Sequence, residues 1–140
     1  MNRPKVDRAQ VLFAGPPNAG KSTLFNRLTG AAAHVGNYAG ITVEQYAAPL
    51  ELASMAVEAV DLPGTFSLAA RSPEERIAFD AIVGLEEAPH NIVVLVVDAP
   101  RLARSLYLVL QVIELGVPCV VAVNLMDEAR RLGVEPNIDA

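Results

Sequence analysis

The sequence predicts a three-layer α/β sandwich built on a mostly parallel sheet with one antiparallel edge strand. Short apolar runs alternate with helix-like segments along the 140-residue chain. Two of these runs, 91–98 and 117–124, are continuously apolar, as expected for strands that helices cover on both faces. A glycine-rich phosphate-binding pattern falls between the first apolar run and the first helical segment. A chain of this length forms one domain with a real core.

Periodicity and turn residues give the order of the elements in the first half of the chain. We predict a strand over 10–14, a helix over 21–29 and then a glycine-bearing loop to about residue 41. Two extended segments, near 43–52 and 54–61, are close enough in sequence to form an antiparallel hairpin. The first half is therefore expected to supply three strands and one helix.

A second helix begins near Ser72, where the start signals are clear. Ser72 is a suitable cap, Pro73 suits the first helical position, and Glu75 follows the cap by three residues. The continuous apolar run over 91–98 then predicts a strand that is buried on both faces.

A third helix is predicted over 101–115, and Gly116 ends it. Its apolar face is expected to be formed by Leu102, Leu106, Val109 and Ile113. A second buried strand follows over 117–124, with the single cysteine, Cys119, as a small core residue. A fourth helix covers 127–132, and Gly133 ends it.

The phosphate-binding pattern is a glycine, four residues and then Gly-Lys-Ser/Thr. Its predicted nucleotide-binding residues are Gly15, Pro16, Pro17, Asn18, Ala19, Gly20, Lys21, Ser22 and Thr23. Such a loop curls so that backbone N–H groups point at phosphate oxygens, and the positive end of the following helix adds to that field. Lys21 is expected to reach the β- and γ-phosphates, and the Ser22 hydroxyl to ligate Mg²⁺. The sequence therefore predicts a nucleoside triphosphate site.

Composition excludes some classes of function. The net charge is −5 and no run of Lys or Arg occurs, so we expect no nucleic-acid partner. The strongly apolar run 92–97 is far too short to span a bilayer. We assign residues 1–9 to a polar leader and 10–140 to one domain, and we expect the isolated chain to be soluble and cytosolic.

Two further segments follow predicted strands, where ligands bind in sheets of this kind. In Asp61-Leu62-Pro63-Gly64, the carboxylate can hold Mg²⁺, usually through water, and the Gly64 N–H can contact the γ-phosphate. The other interpretation is ordinary turn chemistry at Asp-x-Pro-Gly. Thr42, after the glycine-bearing loop, can place its hydroxyl on Mg²⁺ and its N–H on the γ-phosphate, or can simply begin a strand.

The segment Asn124-Leu125-Met126-Asp127 ends the strand predicted over 117–124. The Asp127 carboxylate can accept hydrogen bonds from guanine N1–H and the N2 amine, a pairing that adenine does not offer. Asn124 is expected to tie this loop back to the phosphate loop, and Leu125 to pack on the base. The alternative role for Asp127 is a helix cap, and both roles can hold at once. Together these segments indicate a P-loop NTPase fold of the small-GTPase-like G-domain type.

The chain resembles the GTP-binding domain of FeoB-type ferrous iron transporters. The resemblance extends from Val11 along nearly the whole length. Besides the phosphate loop, it rests on the segments Val35-Gly36-Asn37-Tyr38-Ala39-Gly40-Ile41-Thr42-Val43-Glu44, Asp61-Leu62-Pro63-Gly64-Thr65-Phe66-Ser67-Leu68, Ser72-Pro73-Glu74-Glu75-Arg76, Ser105-Leu106-Tyr107 and Asn124-Leu125-Met126-Asp127. The generic nucleotide motifs indicate only the superfamily, whereas the Thr-Phe-Ser-Leu and Ser-Pro-Glu-Glu-Arg segments make the resemblance specific to this family.

The resemblance implies a domain that binds GTP and GDP and slowly hydrolyses GTP. It implies a position on the cytoplasmic face of the bacterial inner membrane, joined to a membrane permease portion of the same polypeptide, where nucleotide state regulates the passage of ferrous iron. The residues it assigns to phosphate and Mg²⁺ are Lys21, Ser22, Thr42, Asp61 and Gly64, and those it assigns to the base are Asn124 and Asp127.

The resemblance also implies a K⁺ site that assists hydrolysis. Asn18 matches the potassium-ligand position of potassium-activated GTPases, and the backbone carbonyls of Gly36 and Tyr38 are further candidate ligands. The residues expected to act in hydrolysis are thus Asn18, Lys21, Thr42 and Gly64. The alternative role for Asn18 is that of a turn residue that tolerates an unusual backbone conformation.

Two departures bear on activity. Thr65 stands where many small GTPases place a water-orienting glutamine, so intrinsic turnover is expected to be slow. The chain also stops before the last strand, base loop and helix that the family's domain would have. We therefore expect a C-terminally incomplete domain with exposed apolar sheet surface, low stability or self-association, and weakened affinity for guanine.

Two other functions fit the same nucleotide motifs. One is a ribosome- or tRNA-associated GTPase, which salt-dependent RNA binding would favour. The other is a non-catalytic interaction module, which tight GTP binding without turnover would favour.

Overall fold

The computed structural model describes residues 9–30, 33–84 and 91–139. Within them lie six strands and four helices, with one short 3-10 helix at Ala99–Arg101. The strands are β1 Gln10–Ala14, β2 His34–Asn37, β3 Glu44–Leu52, β4 Met55–Asp61, β5 Ile92–Asp98 and β6 Cys119–Asn124. The helices are α1 Lys21–Thr29, α2 Pro73–Val83, α3 Leu102–Glu114 and α4 Met126–Arg131. Of the predicted leader, residues 1–8 lie outside the described residues.

The strands form one sheet in the order β2-β3-β4-β1-β5-β6. β4, β1, β5 and β6 run parallel, and β3 is antiparallel to both of its neighbours. Because the carboxyl ends of parallel strands meet at one edge of a sheet, the loops after these four strands come together there. The register places Asp61 beside Phe13 and Asn124 beside Asp98.

The α/β fold with a mostly parallel sheet is confirmed. The structure adds β2, which lies in the loop expected to reach residue 41. All four residues of β2 are exposed, so its sequence carries no alternation of apolar and polar residues from which a strand could be predicted. Since β2 pairs with β3, the antiparallel strand lies one place inside the edge instead of forming it.

Two apolar layers cover the central strands. In β1, alternate residues face opposite sides, because side chains along a strand point alternately to its two faces. Leu12 and Ala14 belong to the cluster that includes residues of α2 and α3, whereas Val11 and Phe13 belong to the cluster around Phe25 of α1. The rings of Phe13 and Phe25 meet edge to face with centroids 5.6 Å apart. These layers fix the sheet between helices, as the apolar runs predict.

The predicted apolar face of α3 was wrong in part. Leu106 and Ile113 are 42% and 54% exposed. The residues that α3 buries are Ser105, Leu108, Val109 and Val112. Both sets follow helical spacing, because apolar residues occur around most of this helix, and periodicity alone does not choose between two such faces.

The prediction that 117–124 is a buried strand was also wrong at its centre. Val120 and Val121 are 51% and 40% exposed, and Cys119 is half-buried against the core. In the part of the chain that the structure describes, β6 pairs only with β5. An apolar strand with one open edge invites pairing with another chain, so self-association stays a prediction.

No helix among the described residues is long and apolar enough to cross a membrane.

The start of α2 has the predicted cap. The Ser72 hydroxyl oxygen accepts a hydrogen bond from the Glu75 N–H at 3.1 Å. The Glu75 carboxylate in turn accepts one from the Arg71 N–H at 2.8 Å. The cap satisfies a backbone donor that the first helical turn leaves without an intrahelical partner.

Replacing this cap tests its contribution to stability. We expect Ser72→Ala to lower the free energy of unfolding by about 1 kcal/mol, which corresponds to a fall in Tm of about 3 °C. Ser72→Asp is the matched control, because aspartate also accepts a hydrogen bond at this position, and it should melt within about 1 °C of the unchanged protein. Equal losses in both variants would contradict a capping role.

Candidate functional site

The loop after β1 has a backbone that only glycine allows at two positions. Gly15 has φ 155°, and a Cβ there would lie 2.2 Å from the Val96 carbonyl oxygen. Gly20 has φ 82°, and a Cβ there would lie 2.3 Å from Nδ2 of Asn124. The loop is thus pressed against β5 and against the loop after β6, and it directs the N-terminus of α1 into a cleft.

The cleft has a volume of about 350 Å³. Its lining residues all come from the phosphate-binding pattern or from the loop after β4, and they are Pro16, Pro17, Asn18, Gly20, Lys21, Ser22, Thr23 and Gly64. The first-turn N–H groups of a helix have no intrahelical acceptors, and the helix dipole is positive at this end. A concave site with such donors and a lysine suits an anion that carries several oxygens.

Asp61 joins the loop after β4 to this cleft. One carboxylate oxygen forms an ion pair with Nζ of Lys21, and the other accepts a hydrogen bond from the Ser22 hydroxyl at 2.7 Å. Lys21 and Asp61 are each only 7% exposed. The residues predicted to hold phosphate and Mg²⁺ are therefore brought together, and in this structure they bind one another.

The loop after β4 lies directly on the loop after β1. A Cβ at Gly64 would lie 3.1 Å from the backbone of Pro17, and the Thr65 N–H donates to the Gly15 carbonyl at 3.0 Å. The Thr65 hydroxyl donates to the Ser67 carbonyl at 2.7 Å, within its own turn. The hydroxyl that stands at the expected glutamine position is thus occupied by a structural hydrogen bond.

The loop after β6 is tied to the loop after β1 by Asn124. Its Nδ2 donates to the Ala19 carbonyl at 3.0 Å, across 105 positions of sequence, which confirms the expected contact. Leu125 then takes a left-handed conformation with φ 60° and is the residue that caps α4. Asp127 is exposed and is the second residue of α4. The alternative role of Asp127 as the helix cap was therefore wrong.

Thr42 is exposed in the loop between β2 and β3. This loop is closed by two backbone hydrogen bonds, from the Tyr38 N–H to the Val43 carbonyl at 3.0 Å and from the Ile41 N–H to the Tyr38 carbonyl at 3.2 Å. Among the described residues, no hydrogen bond joins Thr42 to Asp61. The structure thus leaves this predicted ligand in solvent.

The three predicted K⁺ ligands come from two parts of the chain, the phosphate loop and the segment that begins in β2. Asn18 is exposed and has φ 65°, the left-handed conformation that suits the alternative role of a turn residue. Gly36 lies in β2 opposite Gln45, and the Tyr38 carbonyl accepts from Ile41.

A second cleft beside the phosphate loop was missed by the sequence analysis. It has a volume of about 360 Å³ and is lined by Pro16, Pro17, Asn18, Phe66, Asp98, Arg101, Arg104 and Ser105. Asp98 is buried and pairs with Arg101 at 3.0 Å, and the Arg104 guanidinium lies 4.1 Å from the centre of the Phe66 ring. The available signal was the position of Asp98 at the carboxyl end of β5, beside the strands that carry the other site residues.

The Tyr38 side chain was also missed. Its hydroxyl is buried and has no hydrogen-bond partner among the described residues. Burial raises the pKa of this phenol above its usual value, and the nearby Asp61 carboxylate raises it further.

Comparisons with known proteins agree with one another. Residues 9–140 match the FeoB_N family, described as Ferrous iron transport protein B. The chain is 45% identical over 139 residues to the Fe(2+) transporter FeoB of Escherichia coli (strain K12) and to that of Shigella flexneri. These matches cover 96% of this chain but only 18% of either relative, so the chain spans less than a fifth of their length.

Solved structures give the same result. The chain is similar to the cytosolic domain of L. pneumophila FeoB, with a TM-score of 0.81, 45% identity, and coverage of 89% of this chain and 49% of that one. It is similar to a GDP-bound mutant of S. thermophilus NFeoB, with a TM-score of 0.82 and 36% identity, over 94% of this chain and 50% of that one. It is also similar to the G domain of T. maritima FeoB, with a TM-score of 0.79 and 34% identity, over 91% of this chain and 84% of that one.

The buried pair between Lys21 and Asp61 makes a prediction for the ligand-free protein. Lys21→Met or Asp61→Leu alone leaves one buried charge without its partner, so each should lower the free energy of unfolding by about 3 kcal/mol. The double variant should lose less than the sum of the two, by 1 kcal/mol or more, because it leaves no unpaired charge. Urea denaturation of the four proteins measures this coupling, and strict additivity would contradict a direct pair.

Proposed function

The chain belongs to the FeoB_N family, Ferrous iron transport protein B, and on this basis we propose that it is a guanine-nucleotide-binding domain that hydrolyses GTP slowly. The observation that carries the proposal is the hydrogen bond between Asn124 and Ala19. This bond holds the end of β6 against the loop that forms the anion cleft. Asp127 follows three residues later, in α4. A ligand with a base at one end and phosphates at the other can span the two.

The phosphate groups are proposed to bind in the cleft over the N-terminus of α1. Lys21 supplies a full positive charge, and the first-turn N–H groups supply donors. Lys21 now pairs with Asp61, so a polyphosphate would compete with this carboxylate for the ammonium group. Gly64, packed on Pro17, would bring its N–H to the side where the terminal phosphate lies.

The donors at Ser22 and Asp61 fit Mg²⁺. Hard divalent cations take oxygen ligands, and Mg²⁺ usually keeps several waters while binding one or two carboxylates and the substrate phosphates. A hydroxyl and a carboxylate oxygen already lie 2.7 Å apart in the cleft. When bound, the ion would neutralise charge on the phosphate oxygens. Thr42, which is exposed, would add a further hydroxyl ligand to this set.

Asp127 is proposed to select guanine. Its carboxylate offers two acceptor oxygens to the N1–H and N2 amine donors of guanine, and adenine presents an acceptor at N1 instead. Leu125 precedes α4 and is half-buried, so it can cover one face of the base. The GDP complex of the related S. thermophilus protein agrees with this choice.

Hydrolysis is proposed to be slow and to depend on K⁺. The Thr65 hydroxyl is held by the Ser67 carbonyl and is too short to orient a distant water. Asn18 lines both clefts beside the phosphate loop and has an exposed amide. A monovalent cation held by this oxygen would add positive charge where the terminal phosphate leaves.

The wider role lies outside this chain. The relatives are Fe(2+) transporters more than five times longer, so we propose that this domain is the cytoplasmic part of an inner-membrane protein, where nucleotide state regulates iron passage. The family match disfavours the alternative of a ribosome- or tRNA-associated GTPase. A non-catalytic module remains the second candidate, because the expected water-orienting side chain is absent at Thr65.

Base selectivity is tested by nucleotide titration. We expect fluorescent GDP to bind in Mg²⁺ and K⁺ at least 100-fold more tightly than the matching ADP, because a site built for hydrogen bonds rejects a ligand that lacks them. Asp127→Asn should weaken GDP binding about 100-fold, since it replaces an acceptor oxygen with a donor. Glu128→Gln, on the next residue of α4, is the control and should change little. Equal affinity for GDP and ADP would contradict a guanine site.

The cation dependence is tested by measuring phosphate release. We expect turnover to be about tenfold faster in K⁺ than in Na⁺ at equal ionic strength, and Asn18→Ala to remove that difference. Asn26→Ala, which removes an exposed asparagine of α1, should keep it. Nucleotide binding with no phosphate release in either salt would instead support the non-catalytic module.

A further inference from the structure

The Tyr38 hydroxyl is buried but unused among the described residues. Its oxygen is closed off from solvent and has no hydrogen-bond partner there. A buried phenol O–H without a partner loses its hydrogen bonds to water and gains nothing in return, which costs free energy. Such a group in a native structure needs an explanation, and a ligand that supplies an acceptor is one.

The surroundings of the hydroxyl indicate where that ligand lies. The strand register places Val35 of β2 level with Asp61 of β4, on either side of Tyr46 in β3, so the segment from β2 to Tyr38 leaves the sheet at the edge where Asp61 lies. The Asp61 carboxylate already accepts from Lys21 and Ser22, one on each oxygen. If Lys21 and Ser22 bind a nucleotide instead, its phosphate oxygens enter the cleft next to Asp61. These oxygens are acceptors that the Tyr38 hydroxyl lacks among the described residues.

Sheet order indicates which part of the nucleotide is concerned. The proposed base contact follows β6, the phosphate loop follows β1, and Asp61 ends β4. Across the sheet, the phosphate loop therefore lies between Asp61 and the proposed base contact. Tyr38 follows β2, on the side of β4 that is farthest from β6. A nucleotide with its base beside α4 would therefore direct its terminal phosphate toward Asp61 and Tyr38.

We propose that the Tyr38 hydroxyl donates a hydrogen bond to the terminal phosphate of a bound nucleoside triphosphate, so that the site holds triphosphate more tightly than diphosphate. This inference rests on the proposed nucleotide function. It assigns to the side chain a role that is separate from the backbone carbonyl of the same residue. It also gives the loop that carries Thr42 a contact that is lost when the terminal phosphate leaves.

The donor can be removed without disturbing the fold. Tyr38→Phe keeps the ring and the backbone carbonyl and deletes only the hydroxyl. Tyr46→Phe is the matched control. The charge of Asp61 also raises the pKa of Tyr46, but the Tyr46 hydroxyl already donates a hydrogen bond to Glu44. The affinities of wild type and both variants would be measured for GDP and for a non-hydrolysable GTP analogue, in Mg²⁺ and K⁺.

We expect Tyr38→Phe to weaken binding of the GTP analogue about tenfold and to leave GDP within twofold, since one hydrogen bond to a charged group is lost. Tyr46→Phe should change neither affinity. Without nucleotide, Tyr38→Phe should melt at or above the wild-type temperature, because it removes a buried hydroxyl that lacks a partner among the described residues.

Four results would overturn the inference. One such result is an unchanged affinity of Tyr38→Phe for the GTP analogue, and another is an equal loss of affinity for GDP and for the analogue. Either would show that the hydroxyl does not bind the terminal phosphate. A lower Tm of nucleotide-free Tyr38→Phe would show that the hydroxyl already has a partner. Wild type that binds neither nucleotide would instead overturn the proposed function, and with it this inference, so the two failures are distinguishable.

Discussion

The Asp61 carboxylate holds the site together by accepting from both Lys21 and Ser22. This contact joins the end of β4 to the first turn of α1, and it depends on the parallel pairing that places Asp61 beside Phe13 in β1. Burying two charges costs desolvation, and their mutual attraction offsets that cost only while both remain. Removing either group would leave a buried charge without its partner, and the pair occupies the same groups that a polyphosphate and Mg²⁺ would use.

The loops around this pair pack closely against one another. Gly15 lies against the carbonyl of Val96, Gly20 against the side chain of Asn124, and Gly64 against Pro17. A Cβ at Gly15 would collide with backbone, whereas one at Gly20 or Gly64 would require the neighbouring atoms to shift. As a result, the loops after β1, β4 and β6 form one closely packed rim.

The loop between β2 and β3 differs from this rim. Its backbone bonds are local, within Tyr38–Val43, and Thr42 is exposed. β2 is a fully exposed edge strand, and few apolar contacts oppose its movement. The Tyr38 hydroxyl is buried and has no hydrogen-bond partner among the described residues. A segment with weak anchoring and one unused donor is suited to respond to what occupies the cleft.

The sequence by itself determined the fold and the local chemistry, because both follow from short-range patterns. Apolar runs gave β1 and β5, the Ser72 cap gave the start of α2, and residue spacing identified Lys21 and Ser22. Only the tertiary structure decided which face α3 buries, that β2 exists, that Asp98 lines a cleft beside the phosphate loop, and that the Tyr38 hydroxyl is buried. These features depend on contacts between residues far apart in sequence, and neither periodicity nor motif spacing records such contacts.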